Sequence, residues 1–199
     1  MVGRTAVALL AVLCLALSCS GCVSLEERQN AFVENVLVRT DPLIDKAEYR
    51  QAALVFEQAL SSLPEERRLL YNWAYCLAAS GDLSEAEVVL SRLVESYQRN
   101  VSYRMAYAAT LDLQGKHSQA RDQWFEVLAL DPLAEDAGLL ALESLFEDRL
   151  YDEAKTLADS MYGNGLFSAK LFLTLAELER ALGVSDGATY EALAALHAK

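Results

Sequence analysis

Five alanines, Ala52, Ala86, Ala120, Ala154 and Ala188, stand 34 residues apart along this chain of 199. A period of that length, with apolar residues at helical spacing inside each step, belongs to repeat architectures. In these, one unit cannot bury its apolar face alone and must stack on the next. The clearest step is Val101–Ala134, VSYRMAYAATLDLQGKHSQARDQWFEVLALDPLA. It reads as an amphipathic helix, a glycine turn, a second amphipathic helix, and a proline that stops it.

The step before it, 67–100, carries the same pattern. Trp73, Ala74, Leu77 and Gly81 precede Ala86, and Leu90 and Leu93 follow it. Tyr107, Ala108, Leu111, Gly115, Trp124, Val127 and Pro132 repeat this around Ala120. The small residues let two helices approach closely, the bulky ones fill the space beside them, and Gly81-Asp82 is expected to supply a turn and an N-cap. In 135–168, Leu142 replaces the small residue and Arg149 the glycine, while Leu145, Tyr151 and Met161 fit. Tyr162-Gly163-Asn164-Gly165 then breaks the chain. The last step, 169–199, keeps Leu175, Ala176, Gly183, Ala188 and Ala195 but is cut short, and its final helix, roughly 187–198, should cap the stack.

The first step, 31–66, is degenerate, as terminal repeats are expected to be. Ser24 with Glu27 forms a capping box. The helix it starts is expected over Leu25–Val38, ending before Thr40-Asp41-Pro42 because the residue before proline disfavours helical geometry. A second helix is expected from about Lys46 to Ser62, with Ala52, Phe56 and Ala59 on one face and Pro64 as terminator.

In these residues the chain resembles the tetratricopeptide-repeat (TPR) proteins over about Gln29–Lys199. The resemblance implies an all-α, right-handed TPR solenoid of about five antiparallel helix pairs. Its units fall at 31–66, 67–100, 101–134, 135–168 and 169–199, and the first helix of each pair lines a concave groove. A compact helical bundle is the alternative. Carried over unit by unit, the resemblance places Arg68, Tyr71 and Tyr75 on the groove, followed by Ser102, Met105, Ala109 and Asp112. Asp136, Leu139, Glu143 and Phe146 come next, then Lys170, Leu173, Glu177 and Arg180. The first half of that surface is aromatic and thioether-rich, suited to an apolar peptide or chain, and the second half is largely acidic. Chaperone-binding members of the family clamp a C-terminal carboxylate with basic and asparagine residues. Tyr71 and Tyr75 stand where lysine and asparagine would be, so that activity is not implied.

The first 21 residues have a different character. Arg4 is followed by the apolar run Ala6–Leu17 and the small residues SCSG, a secretory layout too short for a good membrane span. Cys19-Ser20-Gly21-Cys22 resembles the bacterial lipobox, which implies cleavage after Gly21, 1–21 as signal peptide, and diacylation of Cys22. Cys19 occupies the usual leucine position, and Ala-Leu-Ser-Cys ending at Cys19 is a competing site. Each buried acyl methylene contributes roughly 0.8 kcal/mol, so two or three chains would anchor the protein firmly. Val23 after the modified cysteine resembles outer-membrane sorting, with the array facing the periplasm. Residues 22–30 would be a short tether holding the array near the membrane.

A net charge of −12 repels phosphate backbones and argues against nucleic-acid binding. Of four cysteines only Cys76 lies in the repeats, so neither an internal disulfide nor a zinc site is expected there. No phosphate loop, G-x-S-x-G elbow or H-E-x-x-H pair is present. His117 reads as packing between helices and Cys76 as a buried, inert thiol. The chain is therefore expected to be a membrane-anchored adaptor without cofactor, metal or catalytic residues. Its groove would hold envelope proteins or, alternatively, a small hydrophobic ligand of an uptake system.

Overall fold

The computed structural model describes residues 24–198, and among these it contains ten α-helices and no strand. They are α1 (Leu25–Asp45), α2 (Tyr49–Leu60), α3 (Arg67–Ser80), α4 (Leu83–Ser96), α5 (Val101–Leu113), α6 (His117–Leu130), α7 (Glu135–Glu147), α8 (Tyr151–Gly163), α9 (Ala169–Leu182) and α10 (Ala188–His197). The chain parts into two compact units after Ala47, the first containing α1 and the second α2 to α10. The expected signal peptide, Cys19 and Cys22 lie outside the described residues.

α1 opens on the expected capping box. The Glu27 N–H donates to Ser24 Oγ at 3.1 Å, and the Ser24 N–H donates to Glu27 Oε2 at 2.7 Å. The expected stop before Pro42 does not occur, and the helix runs through the proline to Asp45. A proline deprives the carbonyl four residues back of its donor. Pro42 is exposed, so water can take up the Val38 carbonyl. Buried Thr40 stays satisfied within the helix by donating its hydroxyl to Val36 O at 3.1 Å and Leu37 O at 2.9 Å.

In the second unit each helix from α2 to α10 packs on its successor, and the first helices of neighbouring pairs also meet, α3 on α5 and α7 on α9. Ala52, Ala86, Ala120 and Ala154 are all fully buried, as are their small partners Ala74 and Ala108. Leu142 is buried as completely in the small-residue position of the fourth step. Four residues after each of these alanines stand Phe56, Leu90, Trp124 and Ala158, every one at 1% exposure or less. Side chains also bond across the repeats. The Lys116 ammonium lies 2.7 Å from Glu87, Gln114 Nε2 donates to Leu83 O at 2.9 Å, and Arg121 reaches Ser144 Oγ at 3.0 Å and Asp148 at 2.6 Å.

The register slips at its last step. α4, α6 and α8 start three residues before their alanine, whereas α10 starts at Ala188 itself, which is exposed. Gly187 takes over the close approach. A Cβ there would lie 2.6 Å from the Ala176 carbonyl oxygen. The expected cap at Asp82 also differs. Its carboxylate accepts from the Ser80 hydroxyl at 3.1 Å and makes no bond to the helix it precedes.

The turn between paired helices is left-handed at the same place in each step, with φ of 94° at Gly81, 76° at Gly115 and 69° at Gly183. Arg149 holds this position in the fourth step at φ 59°, a conformation that costs a residue with a Cβ about 1–2 kcal/mol. Arg149 is exposed, and its backbone N–H donates to Phe146 O at 3.0 Å, a bond that glycine would keep. Arg149→Gly is expected to stabilise the chain by about 1 kcal/mol and raise its melting temperature by roughly 2–4 °C. An unchanged or lower melting temperature would show that this turn stores no strain.

Candidate partner-binding groove

The register organises the face of the first helices. Tyr71, Met105, Leu139 and Leu173 occupy one position in successive repeats, and Tyr75, Ala109, Glu143 and Glu177 the position one helical turn on. In α3 and α5 these positions open a cavity of about 580 Å3. Its walls include Tyr71, Tyr75, Val101, Met105, Ala109 and Leu113, and none of its lining residues carries a formal charge. The hydroxyl of Thr110 is turned away, donating to Ala106 O at 2.8 Å.

The tyrosines are held by other rings. Tyr71 packs on Tyr103 with centroids 5.2 Å apart, and Tyr75 meets Tyr49 edge-on at 6.0 Å. Burial pushes both phenols above their ordinary pKa, with a hydrogen bond to Tyr49 adding to the effect at Tyr75. They stay protonated at neutral pH, as hydrogen-bonding groups without charge. Tyr75 is nonetheless 44% exposed and available to a ligand.

The equivalent face of α7 and α9 forms a second cavity of about 330 Å3, lined by Leu139, Glu143, Phe146, Lys170, Thr174 and Glu177. Its chemistry is different, two carboxylates and one ammonium around an apolar floor. A third cavity, about 240 Å3 and including Trp73 and Val88, belongs to α2, α3 and α4.

Tyr71, Tyr75 and Met105 therefore share one cavity, and Leu139 and Glu143 share another. Arg68 and Asp112 line neither. Arg68 Nε lies 3.5 Å from Glu66, and Asp112 lies 2.8 Å from His117 Nδ1. Leu113, Val101 and Ala79 also line the first cavity, beyond the residues expected on the groove. Leu113 and Ala79 share a register position, so the repeat itself held the signal.

His117 does not pack between helices as expected. Its side chain is 49% exposed, because α6 begins at this residue and turns it toward Asp112 at the end of α5. The hydrogen bond to Asp112 raises its pKa above the ordinary 6.5, outweighing the opposing effect of desolvation. The contact's stabilising effect is full below the ordinary value and fades as pH rises through the raised one. Proton NMR of His117 should give a midpoint above 6.5 that falls in Asp112→Asn. A midpoint indifferent to that substitution would mean the pair does not persist in solution. Cys76 is buried beside the groove, and its thiol is pushed up to about 11, so little thiolate forms at neutral pH.

Among the described residues no cluster of metal-ligating side chains occurs, and no helix is long and apolar enough to cross a membrane.

Residues 43–110 match the family model of the tetratricopeptide repeat. No curated protein sequence matches the chain. Among solved structures it is similar to a tetratricopeptide repeat protein from Parabacteroides merdae, with a TM-score of 0.70 at 19% identity over 79% of this chain and 62% of that one. It spans less than two thirds of that protein's length. It is also similar to MamA, at a TM-score of 0.71 and 13% identity over 83% of this chain and 91% of that one. A thermophilic TPR protein of Thermus thermophilus gives 0.57 at 20% identity, again over 83% and 91%. Likeness at such identities bears on the fold.

Proposed function

We propose that this chain, a tetratricopeptide-repeat protein, holds another protein in the groove along its first helices while lipid on Cys22 anchors it in a bacterial cell envelope. The TPR fold is consistent with an interaction scaffold. The observation that carries the binding reading is the uncharged apolar cavity between α3 and α5, whose rim tyrosine is 44% exposed. Apolar surface left open beside aromatic rings with a polar tip is the composition of protein-binding hot spots. Among the described residues, the titratable side chains lining that cavity are the two protonated phenols, which supports a binding role over catalysis.

The anchor reading is supported by the apolar run Ala6–Leu17 and by Ser-Gly before Cys22. Val23 supports placement in the outer membrane, facing the periplasm. Labelled palmitate should be incorporated by the wild type and lost in Cys22→Ala. Unaltered labelling of that variant would move the modification to Cys19 or elsewhere.

The groove is tested by crosslinking and co-purification from native membranes. Wild type is compared with Tyr71→Ala/Tyr75→Ala/Met105→Ala, whose helicity is checked by circular dichroism. The partner should be captured by the wild type alone. Equal capture by a folded triple variant would reject the groove.

A second reading, an uptake accessory that takes a small hydrophobic ligand, is favoured by the absence of charge from the same cavity. It predicts a rise in melting temperature with an apolar ligand in the purified chain, with no partner present.

A further inference from the structure

We propose that the segment bound in the groove is an amphipathic α-helix of the partner, apolar where it meets α3 and α5 and basic where it meets α7 and α9. This rests on the groove being the protein-binding surface.

The first argument concerns backbone hydrogen bonds. Both cavities are walled by helices, whose own N–H and C=O groups are paired internally away from their ends. The polar side chains lining the cavity beside α3 and α5 are the hydroxyls of Tyr71, Tyr75, Ser102 and Thr110. The Thr110 hydroxyl already donates to Ala106 O, and the remaining hydroxyls are too few to pair the successive backbone groups of an extended segment. An extended peptide would bring unpaired backbone groups into this apolar space, each costing about 1–3 kcal/mol. A helix arrives with its backbone already paired and offers a stripe of side chains. The walls favour a helix.

The second argument is charge complementarity along the face. One register row remains apolar from Tyr71 through Met105 and Leu139 to Leu173. The adjacent row changes from Tyr75 and Ala109 to Glu143 and Glu177. Glu143 and Glu177 both line the second cavity, where Lys170 is the single cation among the lining residues. A Lys or Arg at that end of the ligand meets a net negative site, and an acidic residue would be repelled. The chain's net charge of −12 acts in the same direction.

Spacing sets the length. With neighbouring helices about 8–10 Å apart, the cavities lie on the order of 20 Å from each other, or about 13 residues of helix.

The test is a selection of phage-displayed random peptides of about 16 residues against the full chain. Counter-selection uses Ala109→Arg, which fills the groove from an exposed position that should not disturb folding. Enriched peptides should carry apolar residues spaced by three or four, Lys or Arg toward one end, and no interior proline. Synthetic copies should gain helicity on binding and lose about tenfold in affinity to Glu143→Gln/Glu177→Gln, as two partly exposed charge contacts would. Enrichment of proline-rich, alternating or acidic sequences, or equal affinity for the glutamine variant, would overturn the basic-helix ligand while leaving the groove in place. No enrichment over Ala109→Arg would overturn the groove as a peptide site, and the helix with it.

Discussion

Trp124→Ala is expected to destabilise the chain by about 3–5 kcal/mol, a large part of what a domain of this size possesses. Trp124 is 1% exposed on α6 and packs with Ala108, Leu111 and Val127 and with Ala137 and Ala141 of α7. Each repeat is stabilised chiefly through its neighbours, so a cavity here should uncouple the helices on either side. Trp124→Phe should behave differently. The indole Nε1 is buried with no hydrogen-bond partner among the described residues, and phenylalanine removes that unsatisfied donor while keeping most of the ring. Its expected cost is about 1 kcal/mol, the donor's relief offsetting part of the lost packing. Urea unfolding compares the two. Equal costs would mean that the indole does not fill the core between α5 and α7.

The second large effect is at the end of the array. Gly187→Ala is expected to cost about 2–4 kcal/mol, from a left-handed backbone combined with overpacking. Gly187 has φ 76°, and an added Cβ would lie 2.6 Å from Ala176 O and 3.0 Å from Ala176 Cα. Those are backbone atoms in the middle of α9 and cannot swing aside. α10 should lift away, separating the stacked rings of Phe172 and Tyr190, now 6.4 Å apart, and exposing Ala194. Hydrogen exchange should show lost protection confined to α10 and its contact with α9. Gly163→Ala is the control, since a Cβ there meets nothing within 4 Å and its φ is not left-handed. Similar losses in both variants would mean that the close approach to Ala176 is not the cause, since helix propensity alone favours alanine.

The parts of the fold legible in the sequence are the periodic ones. The alanines from Ala52 to Ala154 and the glycines at Gly81, Gly115 and Gly183 recur because every interior interface repeats the same close approach and the same turn. The groove rows follow from that register, which is why Tyr71, Tyr75 and Met105 could be grouped without coordinates. The misses have local or terminal causes. Pro42 has the sequence context of a stop, but an exposed proline can sit in a continuing helix once water takes the freed carbonyl. Ala188 keeps the 34-residue register in sequence, but a glycine one residue earlier permits a closer approach to Ala176. His117 stands where a packing residue is expected, yet Asp112 five residues earlier offers it an ion pair. The change from Tyr75 and Ala109 to Glu143 and Glu177 is written in the register rows, whereas which side chains wall a common cavity depends on stacking.

The most direct test is site-specific photocrosslinking in native membranes. A photoreactive residue replaces Ser102, exposed on the wall of the α3–α5 cavity, or Val88, 68% exposed on α4 beside the third cavity. The groove assignment predicts a partner adduct from position 102 that disappears when Ala109→Arg is added, and none from position 88. An adduct from position 88 alone, or one from position 102 that survives Ala109→Arg, would contradict it.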